Sequence, residues 1–192
     1  MNQSSMQSIF EKHRYDSTIA TKSKTWFQQQ ANLLARQTID TKRLFREGKL
    51  TSKIIPGRLY MYYYDPKGKD DLPYYDRFPL VFPYSKTENG FIGLNMHYLP
   101  YYYRVQLMDR LMQFATNKTY NESTRIKYSW SLISTASKFR LAQPCIKHYL
   151  MDHLKTPLLE VESKDWHTAM MLPVEKFVGA NKNNVWGDSL SV

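Results

Sequence analysis

Apolar positions recur at helical spacing toward both ends of the chain, and short extended runs lie between them. From Lys22 to Thr38, Trp26, Gln30, Leu33 and Leu34 approximate one face, which predicts a helix among good helix formers. Residues 1–20 are polar with weak periodicity and read as an arm or short helix. Leu44, Phe45 and Leu50 sit among cations, and Gly48 is placed to end a helix. Pro56-Gly57 marks a turn. Arg58–Tyr64 and Phe78–Tyr84 read as strands, the second, with Pro79 and Pro83, as an edge strand or a bulged one. Thr87-Glu88-Asn89-Gly90 predicts a hairpin turn with positive φ, leading into a strand over Phe91–Met96.

Beyond Pro100, which suits a first helical turn, Val105, Met108, Leu111, Met112 and Ala115 form one stripe. Thr124–Phe139 predicts a second helix with Ile126, Trp130, Ile133 and Ser137 on one side. Gln143–Leu154 predicts a third, with Ile146, Tyr149, Leu150 and Leu154 inward. Leu158–Glu162 reads as a strand and Ser163–Met171 as a short helix capped by Ser163. The end of the chain reads as an irregular tail in which Val185 and Trp186 anchor. The fold class that follows is α+β: a small antiparallel sheet or an SH3-like barrel with flanking helices. The expected organisation is an N-terminal arm with basic helices (1–54), a β-rich core module (55–100) and a helical C-terminal part (101–192), together one globular unit.

Charge changes this picture more than composition does. The net charge is +10. Lys and Arg number 11 against 4 Asp and Glu in residues 1–60, 4 against 5 in 61–100, 8 against 2 in 101–150, and 4 against 6 in 151–192. Two basic blocks therefore bracket a neutral module, a pattern suited to a polyanion or an acidic protein neighbour, or to a solvated basic surface. The candidate DNA-binding residues are Lys42, Arg43, Arg46, Lys49, Lys53 and Arg58 in the first block, and Arg125, Lys127, Lys138, Arg140 and Lys147 in the second. Tyr, Phe and Trp near them suit stacking on bases exposed at a duplex end. The 15 tyrosines suit either a core packed with large residues or assembly contacts.

Recognisable catalytic chemistry is absent. The glycines are too scattered for a phosphate-cradling loop, and neither Gly-x-Ser-x-Gly nor His-Glu-x-x-His occurs. Cys145 is the one cysteine, so no intrachain disulfide forms, and burial as a small apolar group is expected. His148 and His153 are five apart, the wrong spacing for a metal pair on a straight helix. Asp65, Asp70, Asp71 and Asp76 raise the possibility of a two-metal nuclease. Pairing with Lys67, Lys69 and Arg77 fits better, and a structural hydrogen bond from His97 to Asp76 is expected. No catalytic residue, metal ligand or cofactor is assigned. No apolar stretch reaches signal-peptide or membrane-span length, so a soluble protein made inside a cell is expected.

The runs G-R-L-Y-M-Y-Y-Y-D-P-K, L-P-Y-Y-D-R-F-P-L-V-F-P and F-I-G-L-N-M-H-Y-L-P lie between Pro56 and Pro100. They resemble a small virion-associated protein of T-even-like tailed bacteriophages, a DNA end protector. The resemblance covers about a quarter of the chain. It implies a non-enzymatic structural protein of the virion, made in the host cytoplasm, that binds DNA non-specifically or at genome ends. The implied partners are other virion proteins and double-stranded DNA, with no membrane and no small-molecule substrate. The alternative it leaves open is a structural head–neck–tail or baseplate junction protein. A phage nuclease and a host-directed regulator are weaker readings.

Overall fold

The computed structural model of the chain describes residues 45–46 and 48–191. The expected arm, the helix at Lys22–Thr38, Lys42 and Arg43 lie outside the described residues. Phe45 and Arg46 are helical, and strand β1 (Lys49–Thr51) begins directly after Gly48. There follow β2 (Leu59–Met61), β3 (Tyr75–Asp76), β4 (Leu80–Lys86) and β5 (Gly90–Asn95), then helices α1 (Tyr101–Ala115) and α2 (Glu122–Ala136). After them come β6 (Ile146–Leu150), β7 (Leu158–Val161), α3 (Trp166–Met171), β8 (Phe177–Val178) and α4 (Lys182–Ser191). Among these residues no helix is long and apolar enough to cross a membrane.

The fold is α+β. Six strands pair antiparallel in the order β1-β7-β2-β4-β5-β6, and β3 pairs with β8 in a second sheet. The sheet is open, with β1 and β6 at its edges, so the barrel alternative is not the form adopted. Both faces of the sheet are covered. Leu59, Met61, Leu80, Phe82 and Leu94 join α1 residues Met108, Leu111 and Met112 in one core, with Ile133 of α2 and Val185 of α4. Tyr60, Tyr62, Tyr64, Val81, Phe91, Tyr149 and Leu158 form a second core on the other face. Residues 59–64 thus alternate between two apolar sides rather than between core and water.

Several expectations are corrected by the pairing. Of the two forms expected for its prolines, β4 takes the bulged one and not the edge: it is interior, between β2 and β5, with a register shift between Pro83 and Ser85. The hairpin at 87–89 forms, closed by the Thr87 amide donating to the Gly90 carbonyl at 3.0 Å. It does so without the positive φ expected at Asn89-Gly90, because among the described residues only Gly57 and Gly179 have positive φ. Gln143–Leu154 is not a helix. A 3-10 turn (Arg140–Cys145) containing Pro144 leads into β6, which pairs with β5 from Ile146↔Leu94 to Leu150↔Gly90. The expected irregular tail is helix α4, and Val185 and Trp186 anchor it as expected, both buried.

Asp76 joins these parts. Its side chain is 1% exposed. Its Oδ1 accepts from the amides of Phe78 (3.0 Å) and Lys176 (3.1 Å), and its Oδ2 bonds His97 Nδ1 (2.7 Å) and accepts from Asn95 Nδ2 (3.2 Å). The His97 carbonyl in turn accepts from Arg104 Nη2 (3.0 Å) and from the Trp186 indole (2.8 Å). Arg104 is fully buried in α1 and also donates to the carbonyls of Leu99 and Met170. Burial alone would raise the Asp76 pKa. The His97 imidazole and the two amides outweigh it and hold the carboxyl below its ordinary 3.8.

A group with a depressed folded pKa contributes stability that is complete above its unfolded value and is lost as pH falls through the folded one. Thermal melts of the wild type should therefore drop steeply below about pH 4, and those of Asp76→Asn should drop less. At pH 7, Asp76→Ala should cost about 3 kcal/mol, which is on the order of 10 °C in Tm for a chain of this size. Equal acid sensitivity in Asp76→Asn would contradict the role given to this carboxylate.

Candidate nucleic-acid interface

Helix α2 begins at Asn121, whose side chain accepts from the Thr124 amide at 2.9 Å. It lies on the sheet at one close approach. Gly57 has φ +89°, and a Cβ there would come within 2.6 Å of the Ile126 carbonyl oxygen and 2.9 Å of the Trp130 nitrogen. The Gly57 amide also donates to the Pro83 carbonyl at 2.9 Å. Ile133 and Ser129 face inward from α2, whereas Lys127, Ser131 and Thr135 are exposed, with Lys138 just past the helix end. These last four sit at i, i+4, i+8 and i+11, one outward stripe. From Lys127 to Lys138 it runs about 16 Å, the axial rise of roughly five base pairs.

The expected cations divide into two groups. Some are engaged within the fold. Lys49 pairs with Glu160 at 3.1 Å. Arg58, with its side chain 16% exposed, bonds Glu160 at 2.6 Å and also pairs with Glu122. Burial pulls its pKa down, and the two carboxylates more than reverse this. Arg125 donates from Nε to the Tyr120 carbonyl at 2.9 Å. Lys147 is half-buried with its ammonium 4.2 Å from the centre of the Tyr98 ring, and burial lowers its pKa. Others face water. Arg46, Lys53, Lys127, Lys138 and Arg140 are exposed, and Lys127, Lys138 and Arg140 form no ion pair among the described residues.

A cleft of about 320 Å³ opens between α2 and the β1–β7 edge. Its walls carry Lys49, Arg58 and Arg125 against Glu122, Glu160 and Glu162, so it offers an anion no excess of positive charge. The stripe differs in this respect. From Ser123 to Met151 the chain has no Asp or Glu at all. The same segment holds Tyr128, Trp130, Phe139, Leu141 and Met151, five of the nine large apolar side chains exposed among the described residues. Trp130, grouped by its spacing with Ile126, Ile133 and Ser137, is exposed with its indole donating to the Tyr84 carbonyl at 2.8 Å. Tyr128 stacks on Phe114 and tilts against Tyr120. The acid-free run was visible in the sequence; which aromatics it exposes was not.

The carboxylates weighed for a nuclease do not converge. Asp76 is enclosed, Asp65 pairs at the surface with Lys69 (3.2 Å) and Lys155 (3.8 Å), and Asp70 and Asp71 are exposed. His148 meets the Thr87 hydroxyl at 3.0 Å and His153 the Asp65 carbonyl at 2.8 Å. Among the described residues no group of three His, Cys, Asp or Glu could hold a metal ion. Cys145 is buried, which pushes its thiol up to about 12.

This division predicts opposite phenotypes. Arg58→Ala should cost about 1 kcal/mol of stability, measured by denaturant unfolding, because the largely buried Glu160 carboxylate loses its shorter partner and keeps only Lys49. Lys127→Ala, Lys138→Ala and Arg140→Ala should each stay within about 0.5 kcal/mol of the wild type.

No curated protein and no solved structure matches the chain. The family model of the phage T4 terminal DNA protecting protein matches it over residues 3–188, nearly end to end. The chain belongs to the phage T4 terminal DNA protecting protein family.

Proposed function

We propose that this protein is a non-enzymatic component of a tailed-phage virion that binds the termini of linear duplex DNA and shields them from exonucleases. The observation that carries the reading is the acid-free segment from Ser123 to Met151, which presents Lys127, Lys138 and Arg140 to water without a carboxylate to neutralise them. Phosphates approaching this stripe meet positive charge and the hydroxyls of Ser131 and Thr135, and no side chain on it is set to read base edges. Binding is therefore indifferent to sequence. Arg46 and Lys53 are two further exposed cations. Lys42 and Arg43 belong to the same basic run in the sequence. Lys49, Arg58 and Lys147 are left out of the phosphate-contacting set, because each is committed to a carboxylate or a ring within the fold. The family to which the chain belongs supports the choice of DNA ends as the target.

Binding of fluorescent linear duplex across a salt series tests this. Each phosphate neutralised contributes about −0.9 to the slope of log K against log salt. The triple variant Lys127→Ala, Lys138→Ala, Arg140→Ala should flatten that slope by roughly 3 units and remove protection of the duplex against an added exonuclease. Absence of binding at low salt would overturn the DNA reading and leave the junction protein as the better account.

A further inference from the structure

We propose that Phe139 is the group that reads a DNA end, by stacking its ring on the bare face of the terminal base pair. This rests on the reading of the Ser123–Met151 segment as a phosphate-binding surface. Phe139 is 61% exposed, more than any other large apolar side chain among the described residues. It stands between Lys138 and Arg140, both exposed, in the acid-free run. Its ring stacks on no other ring among the described residues, unlike Tyr128 nearby.

The backbone beneath the ring is fixed. The Lys138 amide donates to Thr135 (3.1 Å), the Phe139 amide to Ala136 (3.0 Å), and the Ala142 amide to Phe139 (3.0 Å). Ser137 Oγ donates to the Ser134 carbonyl (2.9 Å), and the Gln143 side-chain amide to the Ser137 carbonyl (2.9 Å). The corner after α2 is thus held by five hydrogen bonds while the ring it carries covers no core. An aromatic side chain displayed this way fits a flat apolar ligand bordered by negative charge.

Duplex DNA offers such a ligand at one place. Every internal base pair is covered on both faces by its neighbours, whereas the last pair has one open face with a phosphate backbone on each side. Stacking tolerates every base because each has a π-face, so this contact distinguishes an end from a continuous duplex without reading sequence. The cations supply affinity for any duplex, and the ring adds affinity only where a base face is open.

The test is competition between a linear duplex and closed circular DNA of the same length, with wild type, Phe139→Ala and Phe139→Trp. Wild type and Phe139→Trp should favour the linear form. Phe139→Ala should lose about tenfold of that preference while its affinity for circles and its salt slope stay unchanged. A 2-aminopurine at the duplex terminus should change in fluorescence with wild type and not with Phe139→Ala. Loss of linear and circular binding in equal measure, or no loss at all, would overturn the stacking role while the phosphate-binding reading stands. If wild type binds neither DNA at low salt, both fall together. A side chain this exposed is not expected to alter Tm, and a melt of each variant checks that it is folded.

Discussion

Four hydrogen-bond donors from three stretches of chain converge on the enclosed carboxylate of Asp76, and the placement of sheet, turn and C-terminal helix follows from satisfying them. A buried carboxylate without partners is prohibitively unfavourable, so the conformations that keep all four donors are the ones that survive. They fix the two-residue strand β3 against β8 and the end of β5 against the turn at 96–98. Through the His97 carbonyl the same constraint passes to Arg104 of α1 and Trp186 of α4. Arg104 has its guanidinium on three carbonyls and lies against the Tyr101 and Trp186 rings, at 4.6 and 5.5 Å from their centres. The interior is therefore organised by a connected polar network set within aromatic packing, a combination that specifies one arrangement of the helices more sharply than apolar contact would.

Much of the fold was legible where the local signal and the tertiary demand agreed. The stripe from Val105 to Ala115, the strands on each side of Asn89-Gly90, the hydrogen bond between Asp76 and His97 and the anchoring of Val185 and Trp186 all follow from the residues themselves. Helix and strand were confused at Ile146–Leu150, where apolar residues at 146, 149 and 150 mimic one helical face. The open edge of β5 decided the matter, and nothing local announced that edge. Arg58–Tyr64 looked only loosely periodic because both faces of the sheet are covered. The alternation there runs between Leu or Met on one side and Tyr on the other, and an apolar–polar template does not detect it.

The candidate surface was half legible for a related reason. Charge per segment is a property of the sequence, but the availability of each cation depends on where the carboxylates fall in space. Glu160 lies 102 residues from Arg58 along the chain and still claims it. Lys147, in the second basic block, is turned onto a tyrosine ring by the strand that a helical reading missed. Lys127, Lys138 and Arg140 escape because no carboxylate among the described residues pairs with them. A charge count alone would have treated all of these as equivalent.

The strand order has a consequence for how the chain comes into being. Strand β7 lies between β1 and β2, so the register Lys49↔Glu160 and Tyr60↔Glu160 joins residues a hundred or more positions apart. On a ribosome, β1 and β2 emerge early and wait for a neighbour until Leu158–Val161 has been made. Until then β2 has one bare edge and β1 has no partner in the sheet. Contacts so distant along the chain slow the search for the native state. Completion of the sheet is thus timed by the arrival of this late interior strand, and a nascent chain stalled before Leu158 would offer exposed strand edges to its neighbours.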